Sequence, residues 1–253
     1  PGLRALVKTG VASLKVRHGG LIRHLQYADW ILLPSTIARQ RYDRFLISWG
    51  RPDLAARLRV VPHPVSEKMI FDPGVPKEKQ IIAVGGWHRL QKNTPALVET
   101  LRRVLEHASD YHAHVIGPGT EYVEKLVSAL AAPVRQRIKI SAALPNDQLP
   151  PHYQRSRISF CSSYYESFHI PTGEALCCGC SFVGDARISS MPYFASLGSG
   201  TLSCDGAVHH FADALFAEIE LWNSGLRTPT QISKTWTGQL HPQKVAQKVL
   251  DLF

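Results

Sequence analysis

The chain has 253 residues, enough for one large or two small domains. Its composition, 44% apolar and 19% charged, is that of an ordinary globular protein, and no apolar run reaches the ~18–20 residues that a membrane-spanning helix requires. Five cysteines, three of them crowded as Cys177-Cys178-Gly179-Cys180, do not read as a disulfide framework and point to buried free thiols in a reducing, cytoplasmic setting.

The net charge of +9 is concentrated early. Residues 1–63 hold eleven basic side chains (Arg4, Lys8, Lys15, Arg17, Arg23, Arg39, Arg41, Arg44, Arg51, Arg57 and Arg59) against three acids, Asp29, Asp43 and Asp53. Such a region suits an anionic lipid surface, a diphosphate or nucleic acid, and equally a plain solvated face. Arg4, Lys8, Lys15 and Arg17 break the apolar stretches of the first segment, which therefore does not read as a signal peptide.

In chain order, residues 3–26 read as one or two short helices interrupted at Gly10 and at Gly19-Gly20. Residues 28–35 form a buried strand that stops at Pro34, and Ser35 or Thr36 caps the helix that follows towards Phe45. Val60-Val61-Pro62-His63-Pro64 is a short strand closed by prolines, and Asp72-Pro73-Gly74-Val75-Pro76 is the best linker. Beyond it, strand and helix alternate. Strands are expected at 79–85, 112–117, 137–142, 157–162 and 181–184, and helices at 94–107, 122–130, 146–154 and 172–178, the last ending at Gly179. Helices 207–221 and 242–252 close the chain. The strands are short continuous apolar runs, as expected when helices cover both faces, so the repeat of βα units predicts a doubly wound parallel sheet.

Ligands of such sheets sit beyond the carboxyl ends of the strands, which directs attention to three loops. Gly85-Gly86-Trp87-His88-Arg89-Leu90-Gln91-Lys92-Asn93 places glycine backbone and the cations Arg89 and Lys92 next to a helix start, an arrangement that holds phosphate, although an ordinary βα turn has the same ingredients. Gly117-Pro118-Gly119-Thr120 either lets backbone approach a ligand or simply makes the turn. Glu166-Ser167-Phe168-His169-Ile170-Pro171-Thr172-Gly173-Glu174 puts two carboxylates around one loop-to-helix junction, with Glu174 in the first helical turn. Carboxylates accept strongly and directionally, which suits paired sugar hydroxyls. The twelve histidines form no zinc-hydrolase pair, no nucleophile elbow surrounds Ser162-Ser163, and Trp49, Trp222 and Trp236 are expected to pack rather than stack on a ligand.

These loops, in this order, resemble the C-terminal part of family 4 glycosyltransferases over Ala28–Phe253. Glu166 to Glu174 matches that family's Glu-x7-Glu motif, and Ala175 through Val183 is similar to its continuation. Val84-Gly85 through Lys92-Asn93 resembles the family's "VGR…KG" loop, His114 through Gly119 its "L.I.G.G" strand, and Val61 through Val65 its "PNGV" crossover. The resemblance implies a GT-B-like α/β architecture. Residues 1–76 would be the end of an acceptor domain and residues 77–237 a Rossmann-like donor domain. The last stretch, 238–253, would be a helix crossing back.

It further implies a retaining transferase using a UDP- or GDP-type sugar donor, a glycan or lipid-linked acceptor and no obligatory metal or other cofactor. Glu166 would hold the donor sugar and Glu174 the ribose. Lys92, Arg89 and the N–H groups of Phe168, His169 and Ile170 would take up leaving-group charge, with Gly85, Gly86 and Gly117 lining the donor site. Peripheral membrane contact through the basic N-terminal region fits a lipid-linked acceptor. Two positions depart from the family: Gly86 stands where it has an arginine, with Arg89 or His88 as substitute, and His169 stands where it has a glycine. A non-catalytic nucleotide-sugar-binding module, or a basic nucleic-acid-binding protein despite the absence of a nucleic-acid motif, remain the alternatives.

Overall fold

The computed structural model describes residues 19–253. Gly10 and the cations Arg4, Lys8, Lys15 and Arg17 lie outside the described residues. Two compact units divide at Val60–Val61. Residues 61–76 thus pack with the second unit, and the division precedes the Asp72–Pro76 turn at which the sequence placed it.

In the first unit residues 19–25 are helical, with Gly19 and Gly20 opening the described part of that helix. Strand β1 (Ile31–Leu33) pairs in parallel with β2 (Leu58–Val60), and between them lie α1 (Thr36–Ser48) and the single turn α2 (Pro52–Ala55). Ser35 caps α1 by accepting from Ala38 N–H at 3.2 Å. The second strand ends before Pro62, not at Pro64, because the prolines there have no N–H for a ladder. Ile22, Ile31, Leu33, Leu46, Leu54 and Leu58 form this unit's core. Several of its arginines have partners within the unit. Arg51 pairs with Asp53 at 2.7 Å, Arg57 donates to Ala28 O at 2.7 Å, and Arg59 lies 4.0 Å over Trp30. Arg23, Arg39, Arg41 and Arg44 are exposed.

The second unit is built on a six-stranded, all-parallel sheet in the order β5-β4-β3-β6-β7-β8. The strands are β3 (Glu78–Val84), β4 (His112–Ile116), β5 (Ile138–Ser141), β6 (Ser156–Phe160), β7 (Ser181–Asp185) and β8 (Gly200–Ser203). In β3, the successive residues Gln80, Ile81, Ile82 and Ala83 are all buried, so both faces of the sheet are covered. The covering helices include α3 (Thr94–His107), α4 (Thr120–Ser128), α5 (Ala132–Arg135), α6 (Pro150–Arg155) and α7 (Ile170–Cys177). They continue with α8 (Met191–Ala195) and α9 (Val208–Asn223), while α10 (Pro229–Leu240) packs on α7 and α11 (Pro242–Leu250) on α10. Among the described residues, no helix is long and apolar enough to cross a membrane.

Five of these strands and helices went unforeseen, two of them the single turns α2 and α5. Strand β8 (Gly-Thr-Leu-Ser) is a short edge strand without an apolar run. Helix α8 has five residues and carries Pro192 near its start. Helix α10 is mostly polar, but it buries Ile232, Trp236 and Leu240 at a four-residue spacing that did mark a helical face. The segment expected as one helix over 146–154 splits into a 3-10 turn at Asn146–Gln148 and α6, where Pro150 and Pro151 start a new helix.

The chain runs outward from β3 to β4 and β5, then returns to place β6 on the other side of β3. The carboxyl ends of β3 and β6 therefore form the topological switch point, where connections leave in opposite directions and a crevice opens. The Gly117 turn beside it has a packing duty. A Cβ at Gly117, whose φ is 141°, would fall 1.8 Å from Gly85 O. A Cβ at Gly225, with φ 74°, meets nothing within 4 Å. Gly117→Ala is therefore expected to cost at least about 3 kcal/mol from combined overlap and strain, and Gly225→Ala about 1 kcal/mol from strain alone. Urea unfolding of both variants measures the difference, and equal losses would mean that the Gly85–Gly117 approach is not tight in solution.

Candidate functional site

The loops after β3 and β6 meet at the switch point and are bound to each other. Tyr164 N–H donates to Gln91 O, the Gln91 side-chain amide to Tyr165 O, and the Ser162 hydroxyl to Lys92 O, each at 2.8 Å. At the centre, Lys92 Nζ lies 2.7 Å from Glu166 Oε1, with the two side chains 11% and 10% exposed. Ser163 Oγ donates to the same carboxylate oxygen at 2.8 Å. In this low-dielectric position the attraction is strong, and so is the penalty for leaving either charge alone. The first and third loops of the sequence reading are thus brought together, and their principal cation and carboxylate face each other.

Both loops turn into helices through unusual backbone. Asn93 (φ 50°) precedes α3 and His169 (φ 65°) precedes α7, and they are the two non-glycine residues with positive φ among those described. Asparagine tolerates this region through its short polar side chain, whereas histidine there is costlier. The His169 ring is buried, and its Nδ1 lies 2.7 Å from Thr172 Oγ1. Burial above all, and then the charge of Lys92, drive the His169 pKa well below the ordinary histidine value, so the ring is neutral at pH 7. No side chain caps α7, and Pro171 stands in its first turn, so the amides of Phe168, His169 and Ile170 are the donors at this helix start.

The remaining expected residues are placed unequally. Glu174 is the fifth residue of α7, in its second turn, not its first. It is 4% exposed and accepts from Tyr153 OH at 2.9 Å through Oε2. Burial raises its carboxyl above the usual range, and the Tyr153 hydrogen bond partly offsets the shift. The Gly85 amide donates to Ile116 O and the Gly117 amide to Ser141 O, both at 3.1 Å, so the sheet takes these two N–H groups and a ligand cannot. Gly86 is hemmed by Arg89 and His88, each within 4 Å of where its Cβ would be. Arg89 is exposed and lines a cleft of about 120 Å³ with Trp87, His88, Asn93, Tyr122 and Tyr164. Phe168 is buried against His63 and Phe194, so its side chain packs and its backbone alone faces the site. Ile170 is 45% exposed at the start of α7.

Tyr153 and Ser163 were missed. Nothing in a one-dimensional pattern ties a tyrosine on α6 to a carboxylate on α7. Cys161 was also missed. Its thiol, Glu166 and His169 each offer a polar atom within 4.8 Å of the others. Burial raises Cys161 to about 11, which keeps it a protonated thiol at neutral pH.

A family model described as Glycosyl transferases group 1 matches residues 78–219. No curated protein matches the chain. Among solved structures, the lipopolysaccharide outer core galactosyltransferase WaaB, in its apo form, aligns with a TM-score of 0.68 at 20% identity, covering 89% of this chain and 62% of that one. A sucrose-phosphate synthase from Thermosynechococcus elongatus aligns at 0.71 and 16% identity, covering 90% and 58%. HepE from Anabaena, solved in complex with UDP, aligns at 0.71 and 16%, covering 90% and 64%. At such identities the likeness is one of fold, and that fold is GT-B. The chain spans about three fifths of the length of these structures.

Two outcomes follow from the site's electrostatics. Lys92→Met and Glu166→Gln should each cost about 3 kcal/mol of stability by stranding a partner, while the double variant loses clearly less than the sum. Denaturant unfolding closes that cycle, and strict additivity would show that the pair is uncoupled. For His169 the folded pKa is depressed, so its contribution is complete above the unfolded value of about 6.5 and is lost as pH falls below it. His169→Asn retains a residue suited to positive φ. Between pH 6.5 and 5 its stability should fall less steeply than that of the parent, and parallel pH profiles would refute a buried neutral ring.

Proposed function

Since the chain belongs to the glycosyl transferases group 1 family, we propose that it carries the donor-binding part of a retaining hexosyltransferase that takes its sugar from a UDP- or GDP-type nucleotide sugar. The observation that carries this reading is the Lys92–Glu166 pair at the β3/β6 switch point, beside the start of α7. The pair presents a desolvated cation for a diphosphate and a fixed carboxylate for sugar hydroxyls. HepE, a structural neighbour, has been solved with UDP and with UDP-glucose, which supports a nucleotide-sugar partner.

The chemical problem is leaving-group charge. As the bond from the anomeric carbon to the diphosphate breaks, negative charge grows on the phosphate oxygens. Groups already in place stabilise it best, because they need not reorganise. Lys92, Arg89 and the amides of Phe168, His169 and Ile170 take that role, and no obligatory metal is required of them. Lys92 exchanges Glu166 for phosphate, or bridges both, while Ser163 keeps the carboxylate oriented towards the donor sugar. Glu174, steadied by Tyr153, receives the ribose hydroxyls. Their hydrogen bonds would offset the burial of its charge. Retention follows from attack on the face the diphosphate leaves, with the departing phosphate oxygen helping to deprotonate the acceptor hydroxyl, so no side chain is assigned as base. The acceptor is a glycan or lipid-linked sugar. Arg23, Arg39, Arg41 and Arg44 of the first unit offer contact with an anionic cytoplasmic membrane face.

Lys92→Ala should weaken nucleoside diphosphate binding by about 1.5–3 kcal/mol, the range of a charge-assisted hydrogen bond, and leave nucleoside binding nearly unchanged. Glu174→Gln should weaken free nucleotide and nucleotide sugar alike. Glu166→Gln should spare the nucleotide and lower kcat, if its contact tightens in the transition state. Calorimetry, with kinetics on the full-length enzyme, reads these out. A loss common to all ligands for Lys92→Ala, or the same pattern for both glutamates, would overturn the assignment.

A further inference from the structure

A second cluster of ligating side chains stands on the same rim of the sheet, apart from the donor site. Strand β8 ends at Ser203, and Cys204, Asp205 and His210 follow within seven residues, on the connection to α9 and in that helix's first turn. One donor atom from each lies within 4.8 Å of the others. All strands are parallel, so this connection leaves from the same sheet end as the donor loops. Strand β7 separates β8 from β6, a lateral distance of roughly 10 Å at the usual strand spacing. We propose that Cys204, Asp205 and His210 form a binding site for a thiophilic divalent cation, Zn2+ in the first instance.

The geometry is largely formed in advance. Asp205 Oδ1 accepts from Ala207 N–H at 2.8 Å and faces His210 Nδ1 at 2.7 Å. The Asp205 carbonyl accepts from the Ser203 hydroxyl, which holds the turn. His210 is fixed on helical backbone, and the exposed thiol of Cys204 can rotate inward to close a sphere with bonds of about 2.0–2.3 Å. Cys204 is the exposed cysteine of the chain, while the other four are buried. Thiolate and carboxylate together balance the charge of the ion. The nearby Arg187 guanidinium is engaged by buried Asp185, with the closest approach 2.6 Å. Three protein ligands leave a fourth position for water. Binding deprotonates the Cys204 thiol and passes that proton to solvent, while the proton that His210 Nδ1 shares with Asp205 Oδ1 moves through solvent to Nε2, so that Nδ1 supplies the lone pair. The Cys161–Glu166–His169 group is a poorer candidate, because Lys92 already neutralises its carboxylate and burial keeps its thiol protonated.

The test uses the whole reduced chain, with Zn2+ followed by calorimetry in two buffers of different ionisation enthalpy and Co2+ followed by absorption. One ion per chain, release of about one proton and a thiolate-to-cobalt charge-transfer band with tetrahedral visible bands are expected. Cys204→Ser should abolish that band, and Cys204→Ser, Asp205→Asn and His210→Asn should each weaken Zn2+ by roughly ten-fold or more. His107→Asn should leave binding unchanged. Zn2+ should also raise the Tm of the parent and not of Cys204→Ser. Unchanged affinity in Cys204→Ser, cobalt spectra without thiolate character, or no binding at all would overturn the proposal. None of these results depends on donor binding, which is measured separately with nucleotide.

Discussion

The site depends on a single ion pair. Lys92 belongs to the connection after β3 and Glu166 to the connection after β6, and these adjacent strands send their chains in opposite directions. That divergence opens the crevice, and the pair then closes its floor by tying the two connections together. The neighbouring hydrogen bonds of Ser162, Gln91 and Tyr164 repeat the tie in uncharged form. A cation held here, mostly out of water, has already lost its hydration before any ligand arrives. Exchange of a carboxylate for a phosphate then trades one anionic partner for another and avoids a fresh desolvation.

The backbone around the pair bears on one of the two departures from the family pattern. His169, which stands where the resemblance puts a glycine, holds the left-handed conformation that glycine adopts without cost, and Asn93 holds it too. The fold keeps the turn and accepts the side chain. At Asn93 the addition is cheap. At His169 it brings a buried, neutral imidazole to the start of α7, beside Lys92, and Thr172 holds its Nδ1. Strain of this kind persists only where surrounding packing over-determines it, and it concentrates where chain geometry serves a ligand.

Legibility in the sequence followed the physics of each feature. The parallel sheet was readable because doubly covered strands are short continuous apolar runs. The α3 helix was readable to its ends because Thr94-Pro95 is a strong start and Ala108 lies beyond the last apolar turn. Glu166 and Lys92 were named individually, yet their pairing was not, because it joins residues 74 positions apart and depends on which strands are neighbours. Gly117 was open to two readings, ligand approach or turn, and Gly85 was placed in a donor loop; their amides complete the sheet and their missing side chains allow two loops to touch. Glycine marks a close approach without saying what approaches. Edge strand β8 escaped because a strand covered less completely has no reason to be apolar.

Helix α7 shows why the crowded cysteines are where they are. Every residue from Thr172 to Cys177 is buried, so the helix cannot leave its last carbonyls to water. Gly179, with φ 78°, ends it in a Schellman turn: Gly179 N–H bonds Leu176 O at 3.0 Å and Cys180 N–H bonds Ala175 O at 2.9 Å. Ser233 Oγ takes Cys177 O at 2.6 Å, and Lys77 Nζ takes Cys178 O at 2.8 Å. Desolvation lowers the Lys77 pKa, but the ammonium still lies where the helix dipole favours a cation. Cysteine suits such a terminus because it is small and apolar enough to bury and needs no strong partner. With its carboxyl end fully satisfied, the helix is held rigidly from below. Its uncapped amino end and Glu174 are thereby fixed in position without any ligand drawn in to order them.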